Sequence, residues 1–286
     1  MTEHVLVWHP KVPGEAPATA VGDDQLRLIG MPTGLVRPVR QALSADQLTP
    51  AAREIMDAIV ADLGERAAGK VAPPTRYSLR DLDEAGKASI ADILGEGDVW
   101  AKVGVGDRFW RVVESVLTGV WRLESSAADG TTEECIDVGP VPGPILQASA
   151  ELPRATIDIP QQMPPGVMNA PFLLAELQDR SSKYQPGAEN HVINFTLLPL
   201  TDVDAEVLTG VLGQVPLVIR SGGYGSSRVF ATGLRNVWAV QYVNSMGSVI
   251  LDTLEVGGIP VSVLAAKEDF EDSAERLAEI LMAFTS

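Results

Sequence analysis

One glycine-rich stretch has the composition of an anion cradle: Ser221-Gly222-Gly223-Tyr224-Gly225-Ser226-Ser227-Arg228. Backbone N–H groups hold phosphate when such a loop follows a strand and opens a helix, because free amides and helix dipole then converge on the anion. Here the β-prone run RVFAT (228–232) follows, so the stretch reads as a hairpin loop. It places Tyr224 at its tip and Arg228 just beyond. Both are candidates for contact with a partner.

General acid–base chemistry needs positioned carboxylates or a histidine. Asp81 and Asp83 in LRDLD recur as Asp202 and Asp204 in LTDVD, each pair ahead of a helical stretch. Capping of free backbone N–H groups accounts for them without catalysis. His4 and His9 have no cysteine nearby, too few donors for a metal site, and His191 lies between a charged turn and a strand. Cys135 follows Glu133 and Glu134, nothing beside it would lower its pKa, and its counterpart further along is Thr253. A single cysteine allows no intrachain disulfide and no cysteine-rich iron–sulfur or structural zinc site. No nucleophile elbow, HExxH, Walker motif or dinucleotide fingerprint occurs. The sequence predicts no enzyme, no catalytic residue, no metal and no cofactor.

These residues sit on a framework that repeats. Ile93-Leu94-Gly95 returns as Val211-Leu212-Gly213, and Leu117 to Trp121 returns as Leu234 to Trp238. Ile136-Asp137-Val138-Gly139 returns as Leu254-Glu255-Val256-Gly257. The separations are 118, 117 and 118 residues, with 121 for the aspartate pairs. Held order across four blocks predicts two copies of one unit. Trp121 and Trp238 each follow a valine in a strand and read first as core anchors. Arg235 and Asn236 replace Thr118 and Gly119, so the fold itself needs no cation there. An arginine beside an aromatic strand is common on contact surfaces. Arg235, Asn236 and Trp238 are therefore taken as candidate partner contacts, and the second copy as the binding copy.

The elements that must position them follow from periodicity. Residues 1–48 form an irregular arm rich in Pro and Gly. Thr49 caps a helix over 49–69 with Pro50 at its first position, the stripe Ile55, Met56, Ile59, Val60, Leu63, and Gly69 at its stop. The first copy fills the rest of 49–149. A Pro-rich connector, 150–192, carries a helix near 167–180. The second copy spans 193–286 and ends in a helix with Phe270, Ala274, Leu277, Leu281 and Phe284 on one side. The first copy lacks that final helix and is expected to use the 150–180 region instead. Each copy begins with a short extended segment and a helix closed by Gly95 or Gly213. Closely spaced β-runs follow, which favours antiparallel pairing. The expected fold is α+β: two repeated helix-plus-antiparallel-sheet units related by a pseudo-twofold, with an irregular N-terminal arm.

The 286 residues are 45% hydrophobic and 21% charged, a globular composition. A unit of about 80 residues alone buries only about 60% of its surface, so the two copies should pack together. The formal net charge of −16 argues against nucleic acid and anionic membranes as partners. The N-terminus has no basic segment ahead of a long apolar run, so no signal peptide is expected, and no run reaches the ~20 apolar residues of a membrane span.

The stretch GYGSSRVFATGLRNVWAVQY (223–242) resembles hydrogenase expression/formation proteins of the HupH/HyaF/HoxQ type. So do ILDTLEVGGIPVSVLAAKEDFEDSAERLAEIL (250–281), HVINFTLLPLTDVD (191–204), LGEGDVWAKV (94–103), GVWRL (119–123) and the connector GVMNAPFLLAEL (166–177). Met168 and Asn169 in that connector are further candidate partner contacts. The resemblance implies a cytoplasmic accessory factor or chaperone for an uptake [NiFe]-hydrogenase. It implies binding of the iron–sulfur small-subunit precursor before twin-arginine export, alongside a thioredoxin-like accessory protein. It carries over no catalytic residue. A redox-linked or cofactor-assembly factor, or a small-molecule-binding module, are the alternative readings.

Overall fold

A computed structural model describes residues 48–195, 197–198, 200–222 and 226–284. His4, His9 and Tyr224 lie outside the described residues, as does all but the last residue of the expected arm. The order of elements is α1 (Pro50–Ala67), β1 (Thr75–Ser78), α2 (Glu84–Leu94), β2 (Val99–Val105), β3 (Arg108–Glu114), β4 (Val120–Ala127), β5 (Thr132–Val138) and α3 (Gly143–Glu151). Then come α4 (Ala170–Lys183), β6 (His191–Asn194), α5 (Asp202–Leu212), β7 (Gln214–Ser221), β8 (Ser227–Thr232), β9 (Val237–Val243), β10 (Val249–Val256) and α6 (Lys267–Ala283).

The helix signals act as the sequence suggests, with one exception. Thr49 caps α1 by accepting the Ala52 N–H (3.3 Å), and Asp83 caps α2 by accepting the Gly86 N–H (2.8 Å). Gly95 and Gly213 end α2 and α5 at φ +59° and +63°. The exception is α5, where Thr201 is the cap and Asp204 sits one turn in, closing a capping box. Helices α2 and α5 begin 118 residues apart, so the expected match of Asp83 with Asp204, at 121, does not follow the helices.

The ten strands of the described residues form one sheet, ordered β1-β5-β4-β3-β2-β7-β8-β9-β10-β6, with every neighbouring pair antiparallel. The expected units therefore share a sheet, joined where β2 pairs with β7. In each half a helix crosses between strands that run the same way, from β1 to β2 through α2 and from β6 to β7 through α5.

Strand alternation divides the core. One face gathers residues of both halves, including Val103, Trp121, Cys135, Leu217 and Trp238, beneath Ile145 and Ala148 of α3. The other face carries two separate clusters. Helices α1, α2 and α6 cover the first half through Met56, Ile59, Ile90, Phe270 and Leu277. Helices α4 and α5 cover the second through Leu174, Leu177, Leu208 and Leu212. The first half does have a helix after its last strand, namely α3, so the connector does not replace it. Asp137 opens that helix by accepting the Gly143 N–H (2.8 Å) while held by Arg76 at 2.8 and 2.9 Å. The cover over the first half is supplied instead by α6, from the other end of the chain.

Candidate interaction surface

Helix α5 runs antiparallel to β6 and β7, so its start lies at the end of the sheet where β7 finishes and β8 begins. Helix α4 begins at the same corner, and one side chain fastens the two. Asp204 Oδ1 accepts the backbone N–H groups of Met168, Asn169 and Ala170, all at 2.9 Å. Its Oδ2 accepts the Thr201 N–H at 3.1 Å. A single carboxylate thus satisfies the free N–H groups of two helix starts. Asp204 is fully buried, and burial alone would raise its pKa. The N–H groups of Ala170, Met168, Thr201 and Asn169 outweigh that and hold the carboxyl at about 2.

This fastening presents apolar side chains to solvent. Met168 is 65% exposed and Phe172, one turn further, 76%. Leu197 is 79% exposed and Leu198 38%, on the segment that leads from β6 into α5. Single exposed apolar residues are ordinary; here four lie on two segments that Asp204 ties together.

The remaining candidates separate into two places. Arg228 is half-buried on β8 at this same end of the sheet, opposite Arg220 and Gln241. Arg235 is exposed in the turn between β8 and β9, at the other end. Asn236 owes its place to conformation: at φ +57° it holds the left-handed turn that Gly119 holds at +84°. Trp238 is only 4% exposed and belongs to the core face, the place its reading as a core anchor expects. The residues missed from sequence are Phe172, Leu197 and Leu198. Their signal was apolar side chains in a helix's first turn and just before its cap, where core packing does not require them.

The reactive groups are poorly placed for chemistry. Cys135 is buried, and burial pushes its thiol up to about 12 despite the cation of Arg76. His191 Nε2 lies 3.1 Å from Glu176 Oε1 on the surface of α4. A cavity of about 210 Å³ beside α2 is lined by Lys87, Arg122, Glu124 and Glu134. These pair among themselves and with neighbours, Lys87 to Glu134 at 3.1 Å and Arg122 to Glu96 at 3.9 Å. Among the described residues no three side chains gather as metal ligands, and no helix is long and apolar enough to cross a membrane.

Comparison with known proteins assigns the lineage. Residues 167–284 match the family described as HupH hydrogenase expression protein, C-terminal conserved region. The chain is 38% identical to the hydrogenase expression/formation protein HupH of Rhodobacter capsulatus, over 95% of this chain and 94% of that one. It is 36% identical to the hydrogenase expression/formation protein HoxQ of Cupriavidus necator, over 93% and 94% of the two chains. It is 30% identical to the hydrogenase-1 operon protein HyaF of Escherichia coli, over 92% and 93%. With likeness spanning nearly the whole length of each relative, the chain belongs to the HupH/HoxQ/HyaF family of hydrogenase expression/formation proteins.

Proposed function

We propose that this protein serves hydrogenase maturation in the cytoplasm as a non-catalytic chaperone. Its client is the iron–sulfur small-subunit precursor, held before export, with a thioredoxin-like protein as companion. The observation that carries this reading is the exposed apolar corner of Met168, Phe172, Leu197 and Leu198, fixed by the buried Asp204. A rigid apolar surface of this kind suits an incompletely folded polypeptide, because burial of apolar area drives association. Asn169 lies within the corner, Arg228 lies toward the same end of the sheet, Tyr224 is kept as a candidate contact from the sequence, and Arg235 offers a second contact at the far end. The buried, high-pKa Cys135 gives little support to a redox-linked or cofactor-assembly role. A basic leader on the client would be drawn by the net charge of −16, so capture should weaken with added salt.

The framework we read as a duplicated module with a pseudo-twofold. Support comes from the strand order, which runs alike from either edge, and from the central pairing. Ala101 pairs with Ile219, and they are 118 residues apart, the separation of Gly95 from Gly213. Matched residues facing each other is what an axis through the middle of the sheet requires.

The test is capture of the precursor, with and without its leader, by immobilised full-length protein. Replacing Met168 and Phe172 by serine should weaken capture about tenfold or more, with thermal stability nearly unchanged, since both side chains are exposed. Tyr224→Ala and Arg235→Ala should weaken it less. Undiminished capture by the serine variant would remove the corner from the site. Absence of capture by the parent protein would remove the client.

A further inference from the structure

The middle of the helix-covered face carries four cations, three of which have no ion-pair partner among the described residues. Strands β3, β2, β7 and β8 present Arg111, Lys102, Arg220 and Arg228 on that face, between the two helix layers. Lys102 stands opposite Arg111, and Arg220 opposite Arg228. Like charges in directly opposed positions destabilise a sheet. The arrangement follows the internal correspondence: Lys102 and Arg220 are 118 residues apart, Arg111 and Arg228 117.

The two halves treat these cations differently. Arg111 Nη1 lies 3.1 Å from Glu124 Oε2 on β4. The residue in that role opposite Arg228 is Gln241, which has no charge to give. Lys102, Arg220 and Arg228 form no ion pair with any described residue, in a chain holding 38 acidic residues. Arg220 rests 5.1 Å from the ring centroid of Trp100, and its Nε is buried without an acceptor. Such a group loses its hydration and gains nothing in return until an acceptor arrives. All four of these side chains, Trp100 included, are half-buried and not sealed.

We propose that Lys102, Arg220 and Arg228, with Trp100 beside them, form a docking strip for a carboxylate-bearing segment of a partner polypeptide. The guanidinium fork matches a carboxylate in two hydrogen bonds, and the indole offers apolar contact to a neighbouring side chain. A nucleic acid fits less well. Beyond a Debye length of about 8 Å a polyanion meets the overall negative charge, whereas one or two carboxylates respond mainly to the cations at hand. The strip lies toward the same end of the sheet as the Met168–Phe172 corner. The inference rests on the reading of the protein as a polypeptide binder, but not on which client it holds.

The test is fluorescence anisotropy of a rhodamine-labelled decapeptide with two glutamates beside a leucine, titrated with the full chain at about 0.15 M salt, where the Debye length is about 8 Å. Versions with glutamine or lysine replacing the glutamates serve as comparisons. The glutamate peptide should bind about tenfold tighter than the glutamine one and weaken as salt is added. Arg220→Gln with Arg228→Gln should cut that affinity about tenfold, and Glu124→Gln, which frees Arg111, should raise it about twofold. Equal binding of the glutamate and glutamine peptides, no binding, or an unaffected double variant overturns the proposal. If the double variant fails to fold, Arg228→Glu decides: it must exchange preference from the glutamate to the lysine peptide, and failure to do so also overturns it. Failure of the glutamate peptide to bind removes the strip and leaves the reading of the apolar corner standing. Precursor capture that fails while the glutamate peptide binds removes the client and leaves the strip.

Discussion

The turn after β3 and the turn after β8 share a set of hydrogen bonds but not a residue type at the critical position. In the first, the Ser115 hydroxyl accepts the Leu117 N–H (3.0 Å); in the second, Thr232 accepts that of Leu234 (3.2 Å). Gly119 and Asn236 then turn the chain at positive φ, and their carbonyls accept the N–H groups of Gly139 and Gly257 at 2.9 and 2.8 Å. A helix serine reaches each turn: Ser273 of α6 donates to the Thr118 carbonyl (3.0 Å), Ser181 of α4 to that of Arg235 (2.6 Å). What differs is the neighbour. At Gly119 a Cβ would stand 2.5 Å from the ring of Phe270, so glycine is required by packing as well as by φ. At 236 the turn accepts asparagine, which reaches the left-handed region at modest cost. The same backbone device is sealed under a helix in one half and open to surface chemistry in the other.

The comparison can be broken most forcefully at that glycine. Gly119→Ala should cost about 3 kcal/mol or more in urea unfolding, while Asn236→Gly should change stability by less than about 0.5 kcal/mol. Similar losses at the two sites would refute the distinction. Next in size is Asp204→Ala, expected to cost about 2–3 kcal/mol by stranding N–H groups of two helices, against about 1 kcal/mol for the single cap removed by Asp83→Ala. Protease cleavage near residues 160–170 should rise in the former only.

A third contrast concerns Glu114, which has no acidic counterpart in the second half. It is buried, and burial, only partly offset by the Gly119 N–H, pushes its carboxyl to about 7 from an ordinary 4.5, with the charge of Asp269 adding to the rise. A folded-state pKa above the unfolded one gives stability that is complete below pH 4.5 and lost as pH rises through about 7. Thermal unfolding of Glu114→Gln should therefore lack this decline and exceed the parent by about 2 kcal/mol at pH 8. A parallel pH profile for the two proteins would count against the assignment. Smallest in stability is Arg235→Ala, whose exposed side chain should contribute less than about 0.5 kcal/mol, with the effect seen only in client capture.

Signals confined to a few neighbouring residues were readable in the sequence. Thr49 with Pro50, Asp83, Gly95 and Gly213 announce helix ends because a cap acts within one turn. The apolar rhythm from Phe270 to Leu281 announces α6 in the same way. Relations across the chain were not readable. Asp204 looked like a cap for its own helix, yet its main partners lie 34 to 36 residues earlier. The 121-residue spacing of the aspartates encouraged a match that the helices themselves place at 118. Trp238, by contrast, reads as a core anchor from its match with Trp121, and the structure buries both. Lys102 and Arg220 each look like ordinary outward residues in alternating strands; only the pairing of β2 with β7 brings them to one strip.

The contact between α1 and α6 sets the order in which the molecule can be completed. Met56, Ile59 and Leu63 near the beginning find their lids in Phe270, Leu277 and Leu281 near the end, and Arg53 reaches the Leu281 carbonyl at 3.1 Å. During synthesis the packing of these side chains on α6 must wait until that helix leaves the ribosome. Maturity of this factor is thus withheld from any nascent chain that has not yet released α6.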